Sequence, residues 1–151
     1  MPSFQVFHNA TNTASATVPM LSLFATATNQ IGLYDFSIGS DATADNAVKY
    51  SIARGSARGT QSATVTPTAQ DQNVTQAAVS TCDTAWNINP TITASSAIFQ
   101  CGMHQRATYR WVAYDYTKFL RTQAGTGKGL VLLSVVVTSA SNGVFSISFD
   151  E

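Results

Sequence analysis

Cys101 and His104 are the first pair to weigh as chemistry, because a thiol within reach of an imidazole makes a nucleophile and its base. They stand three apart in Cys101-Gly102-Met103-His104, and on a strand that separation sends them to opposite faces. The pair therefore reads as a core cysteine and a rim histidine unless the backbone turns between them. Asp41 and Asp45 share a polar loop with Asn46, and such a loop can offer oxygens to calcium. A calcium ion takes six to eight oxygens, usually from several carboxylates, and no EF-hand spacing is present. The two Asp side chains are better suited to capping their own loop. Gly125-Thr126-Gly127-Lys128-Gly129 has the composition of a phosphate loop but not its spacing: Thr122 stands where the first glycine belongs, and Gly129 where Ser or Thr must follow the lysine. It reads as a turn. No paired carboxylates for glycoside hydrolysis can be picked out among the few Asp residues. No catalytic residue, metal or cofactor is expected.

One cluster remains. Arg106 and Arg110 lie close to Tyr109 and Trp111, and Arg, Tyr and Trp are the types that dominate interface hot spots. Two readings stay open. Either the cluster is an interface, or Trp111 belongs to the core and the arginines cap the edge of its strand. A sugar or a base could also stack there. The candidate interface residues are accordingly Arg106, Tyr109, Arg110, Asp41 and Asp45.

Composition narrows the partners. Lys+Arg and Asp+Glu each count 8 in 151 residues, so the formal net charge is zero and only 11% of residues are charged. A nucleic-acid binder shows a basic excess, and a membrane-surface protein a polybasic stretch; neither is present. Hydrophobic residues make up 44%, enough for one core in a chain of one-domain length. Ser, Thr, Asn, Gln and Ala replace the missing charge, and the one Glu is Glu151. Helix surfaces favour Glu and Lys, whereas exposed strand faces favour Thr and Ser. A surface this poor in charge is prone to association unless partners cover it. Cys82 and Cys101 read as buried thiols, with a disulfide between them left open. The N-terminus lacks a basic segment followed by an apolar one, and the longest apolar run, Leu130 to Val137, is too short to span a bilayer. A soluble product made inside the cell is expected.

The elements that must hold these residues read as strands. Val48, Tyr50 and Ile52 alternate with Lys49 and Ser51, and Phe145, Ile147 and Phe149 alternate with Ser146 and Ser148. Tyr34, Phe36 and Ile38 line one face of another strand, with Asp35 and Ser37 on the other. Ala97 to Met103, Tyr109 to Ala113, and Leu21 with Leu23 suggest three more. Leu130 to Val137 is apolar at successive positions and reads as a strand buried on both faces. Ser141-Asn142-Gly143 carries a hairpin signature between two strands. Residues 68–82 do not alternate and predict a short helix after Pro67. Together these predict an all-β, single-domain β-sandwich, jelly-roll-like, with at most one short helix. Residues 1–15 are read as a separate N-terminal segment able to act as an arm, and 16–151 as the sandwich.

Three stretches carry a resemblance. Tyr34 to Asp41 with Ala44 to Ala47, Gln105 to Ala113, and Phe145 to Glu151 resemble a family of tailed-bacteriophage virion proteins. Thr43 stands where that family has proline, and the chain closes on Phe149-Asp150-Glu151. The resemblance implies a structural, non-enzymatic virion component made in the host cytoplasm. Its implied role is a capsid cement or decoration protein, bound outside the head to the major capsid protein and self-associating, with a trimer favoured. A tail fibre or baseplate module binding a host-surface carbohydrate or another tail protein is the alternative, with Tyr109/Trp111 and Tyr114/Tyr116 as its stacking platforms. A small depolymerase ranks behind both.

Overall fold

The computed structural model describes residues 1–12, 14, 15, 17–41, 47–104, 106–137 and 142–151; the side chains of 94, 95, 136 and 137 are left aside. Twelve strands account for most of them: β1 (Ser3–Thr11), β2 (Leu21–Phe24), β3 (Gly32–Ser40), β4 (Ala47–Ala57), β5 (Thr60–Val65), β6 (Thr68–Ala69), β7 (Thr81–Ile88), β8 (Thr91–His104), β9 (Tyr109–Val112), β10 (Leu120–Arg121), β11 (Gly129–Val137) and β12 (Asn142–Asp150). They form two antiparallel sheets. The first runs β3-β12-β1-β6, with β9 and β10 both pairing with β3; the second runs β5-β7-β2-β11-β4-β8. Within this, β1-β12-β3-β9 faces β2-β11-β4-β8, the strand order of a jelly roll, and β5 to β7 extend it at one side. The expected β-sandwich is what forms.

Alternation explains why the chain shuttles between sheets: each strand has one apolar face to bury. Phe4 and Val6 of β1, Phe36 and Ile38 of β3, and Phe145, Ile147 and Phe149 of β12 meet Leu21, Leu23, Val48, Tyr50, Ile52, Leu130 and Leu132 from the second sheet. Aromatic rings interlock at the contact, with Tyr50 edge-on to Phe145 at 5.9 Å and Phe99 edge-on to Phe36 at 5.0 Å. Strand β11 is buried on both faces, as its composition implies. Val131 and Leu133 pack with Phe24, Ala53 and Ile92 on the outer side of the second sheet.

Several expectations are corrected. Strands β11 and β12 make no hairpin: β11 pairs with β2 and β4, and β12 with β1 and β3. Asn142 and Gly143 open strand β12 instead. A Cβ on Gly143 would collide with the Phe145 ring and come within 3.1 Å of Asn12 Oδ1, so this glycine is there for packing. Residues 68–82 form no helix. Asp71 Oδ1 accepts from Asn73 N at 2.9 Å, an Asx turn that diverts the backbone, while β6 has already paired with β1. Among the described residues the one helical turn is a 3-10 turn at Tyr116–Lys118, capped by Asp115. Segment 1–15 carries β1, which lies between β12 and β6 with Phe4 and Val6 buried, so residue 15 is not a boundary of the fold. In β3 the register shifts opposite Ser148/Phe149, so Leu33 takes the core position and Tyr34 turns to the outer face. The two cysteines are free thiols, and β7 and β8 are separated by β2, β11 and β4. Four strand spacings put them about 19 Å apart, far beyond disulfide reach.

The second sheet buries a carboxylate, Asp83. Arg58, at the end of the β4–β5 turn, donates from Nε to Asp83 Oδ2 at 2.7 Å and from Nη2 to Oδ1 at 2.6 Å. Asp83 is fully buried, while the Arg58 side chain stays 29% exposed. Gly59 makes the turn with φ of +77°, where a Cβ would strike the carbonyl of Ile88.

Two predictions follow from this interior. Arg58→Ala strands a buried carboxylate and should cost about 3–5 kcal/mol in urea unfolding. Asp83→Ala should cost less, since Arg58 can swing to water; equal or reversed costs would refute the clamp. Burial also pushes the Cys82 thiol and the Tyr50 phenol each up to about 12, from ordinary values of 9.0 and 10.0. The folded chain keeps these protons longer than the unfolded one, so stability is full below about pH 9 and falls as pH climbs toward 12. Tyr50→Phe should make that decline shallower above pH 10, measured by urea midpoints across the alkaline range.

Candidate functional site

The sequence candidates part company in space. Cys101 packs half-buried against the core while His104 is exposed at the end of β8, so the two take opposite sides of the strand. His104 Nδ1 accepts from the Arg106 backbone at 3.3 Å. Burial pushes the Cys101 thiol up, the wrong direction for a nucleophile at neutral pH. Asp41 is used locally: its carboxylate accepts from Asn142 N at 2.8 Å and from Asn142 Nδ2 at 2.9 Å, tying the end of β3 to the start of β12. These bonds hold its pKa below the usual value. Asp45 lies outside the described residues. Gly125 and Gly127, both at positive φ, form the turn that leads into β11. Among the described residues no three of His, Cys, Asp and Glu come together as a metal site.

The cluster around Trp111 splits between the two readings. Tyr109 and Trp111 turn inward from β9: Trp111 stacks on Phe36 with centroids 5.4 Å apart, and Tyr109 lies 5.9 Å from Phe99. Arg110 and Val112 turn outward. Arg110 grips Asp35 of β3 with two bonds, Nε to Oδ1 at 3.1 Å and Nη2 to Oδ2 at 2.6 Å, and this pairing raises its pKa. Arg106 sits exposed in the turn before β9. Tyr109 and Trp111 are therefore not free to stack on a sugar, whereas Tyr114 and Tyr116 are 93% and 71% exposed.

What gathers is a face. Strands β9, β3 and β12 are neighbours, so the described parts of three stretches remote in sequence lie side by side. Their outward residues align in rows with those of β1. Phe7, Ser146, Ser37 and Arg110 make one row, Gln5, Ser148, Asp35 and Val112 the next, and Asn9, Val144 and Gly39 a third. Small side chains occupy the middle, and three apolar ones stand exposed: Phe7 at 66%, Val112 at 54% and Val144 at 45%. Uncharged hydrogen bonds lace the rest. Gln5 Nε2 donates to Ser146 Oγ at 3.0 Å, Gln70 Nε2 donates to Ser148 Oγ at 3.0 Å, and the Tyr34 hydroxyl donates to Gln70 Oε1. Ser3 Oγ donates to Asp150 Oδ1 at 2.6 Å. The result is an almost neutral tray of mostly small side chains.

Sequence reading found Arg110 but missed its partner Asp35, 75 residues away. It also missed Phe7, whose alternation with Phe4 and Val6 breaks at Phe7 itself: the period assigns it outward, and its exposure is the signal. Glu151 was noticed only as the one glutamate. Its carboxylate accepts from Val79 N at 2.6 Å and Ser80 N at 2.8 Å, anchoring the segment that leads into β7.

The two readings of the cluster make opposite predictions for adjacent residues. Trp111→Ala should lower stability by on the order of 2–3 kcal/mol through the cavity beside Phe36. Arg110→Gln, losing a solvent-exposed pair, should leave the unfolding midpoint close to that of the parent. Urea denaturation of both variants decides it; a large loss for Arg110→Gln would make the ion pair structural. Compared with family models, with characterised proteins and with solved structures, this chain matches none.

Proposed function

We propose that this chain is a structural virion protein, a capsid cement or decoration module that seats the outer face of its first sheet on neighbouring major capsid subunits. The observation that carries the reading is that tray: Phe7, Val112 and Val144 exposed around a floor of Ser37, Ser146 and Gly39, with one self-neutralised ion pair. An exposed aromatic amid small polar neighbours is the composition of an interface centre. The resemblance of the β3, β9 and β12 stretches to phage virion proteins points the same way, because those stretches build this face together.

Size adds a constraint. Three strands of nine residues and one of four give a face of at most about 19 by 30 Å, under roughly 600 Å², against about 800 Å² per partner in a stable complex. A single seat of this area binds weakly. Self-association, as in the favoured trimer, multiplies seats and raises the effective concentration of each. The module would sit on the capsid exterior after synthesis in the host cytoplasm. A second reading, a tail fibre or baseplate module for carbohydrate, draws on the exposed rings of Tyr114 and Tyr116.

Labelled protein added to mature heads lacking it should bind saturably, at a copy number set by icosahedral symmetry, and raise their resistance to heat. Phe7→Asp should abolish binding while leaving the unfolding midpoint within a few degrees of the parent, since Phe7 touches water already. Undiminished binding by Phe7→Asp would discard the tray as the seat. No binding by the parent chain, or a handful of copies at one vertex, would move the assignment to the tail.

A further inference from the structure

Of the chain's eight cations, three contribute lining to a pocket at one end of the sandwich. Arg54, Arg121 and Lys128 line an open pocket of about 500 Å³ together with Thr93, Thr122 and Gln123, and no carboxylate lines it. The volume falls within the range of small-molecule sites, roughly 300–1,000 Å³. The position of two of these cations follows from alternation. In β4 the inward row runs Val48, Tyr50, Ile52 and then Arg54; in β11 it runs Leu132 and Leu130, and Lys128, just before the strand, stands next in the same row. Leu130 pairs directly with Arg54, and Gly129 with Gly55. The rows that build the core thus end in charge.

Arg121 borders the pocket but spends its guanidinium on neighbours of its own. Arg121 Nη2 donates to Tyr116 O at 3.1 Å, and its guanidinium lies 5.2 Å from the Phe119 ring centroid. Gly32 makes room for the ring: a Cβ there would fall 2.9 Å from Phe119 Cδ2, with Arg121 Nη1 at 3.4 Å. Thr122, buried, accepts from Ile31 N at 3.0 Å through Oγ1, so its own hydroxyl proton remains to be donated. Elsewhere the protein neutralises the arginines that it fixes, Arg58 with Asp83 and Arg110 with Asp35. Here Arg54 and Lys128 line a pocket with hydroxyl and amide donors, and no carboxylate is among its described lining residues. Like charges facing one pocket repel each other where nothing offsets them.

We infer that this pocket is a binding site for a free tetrahedral oxyanion of the phosphate class. A dianion offsets the charges of Arg54 and Lys128, and its oxygens accept from the Arg54 guanidinium, the Lys128 ammonium and the Thr122 hydroxyl. The site lies apart from the tray, and the inference does not depend on the capsid reading.

The test is a titration of the full chain with inorganic phosphate at constant ionic strength, followed by amide chemical shifts, with sodium chloride as the reference. Saturable shifts are expected at Gly55, Thr122, Gln123 and Gly129, with none from chloride. The double variant Arg54→Gln, Lys128→Gln should weaken phosphate binding at least about tenfold, because charge-assisted hydrogen bonds carry it. Without phosphate, its unfolding midpoint should match or exceed that of the parent, since repulsion is relieved; a purely structural role would lower it. Lys128→Gln alone, in the turn before β11, gives the same reading in smaller measure if the double variant fails to fold. Absence of saturable shifts, equal shifts with chloride, or unchanged affinity in these variants would overturn the inference.

Discussion

Nine consecutive residue pairs, from Ser3 with Asp150 to Thr11 with Asn142, join β1 to β12, and the other features of the first sheet are laid out from this ladder. It fixes which faces of β1 and β12 look inward, placing Phe4 against Phe149 with ring centroids 5.9 Å apart. Through β12 it sets the register of β3, and through β3 that of β9. A slip of one residue would exchange every inward side chain for an outward one, burying Gln5 and Phe7 and exposing Phe4 and Val6. Such a ladder between distant segments closes late in folding, because the entropy of the long intervening chain must be spent first. Once closed, it fixes the register of the outer face without help from charge.

Charge is used sparingly and in two ways. Asp83 is fully buried and depends on a bidentate Arg58, so that pair is costly to disturb from the arginine side. Asp35 and Arg110 form the same fork with the arginine 65% exposed, where water competes for both partners. Identical chemistry thus fastens two strands in one sheet and merely tidies a surface in the other. The difference lies in what surrounds the carboxylate.

Legibility in the sequence followed the same physics. Alternation at 48–52 and 145–149, and its absence at 130–133, reports burial directly, and those strands were read with the correct faces. Alternation does not say which strand is the neighbour. Asn142-Gly143 therefore looked like a hairpin, when its role is to clear space for Phe145. Tyr34 was assigned inward because a bulge is invisible without the strand opposite it. The candidate site was half legible: Arg110 and Trp111 stood out by type, yet only pairing with β3 separates the outward arginine from the inward indole. Asp35, Phe7 and Asp83 gain their meaning from partners remote in sequence, and no local spacing encodes that.

The irregular pairing of β8 has a consequence for life at high concentration. Its ladder with β4 breaks three times, and four residues, 93–96, are looped out opposite Arg54 alone. Strand β8 ends the second sheet, so these kinks fall on an otherwise open border. A second chain cannot lay a straight strand along a border that repeatedly loses register. With so few charges to keep copies apart, the chain guards against ribbon-like growth by geometry: its longest strand is too crooked to serve as a template.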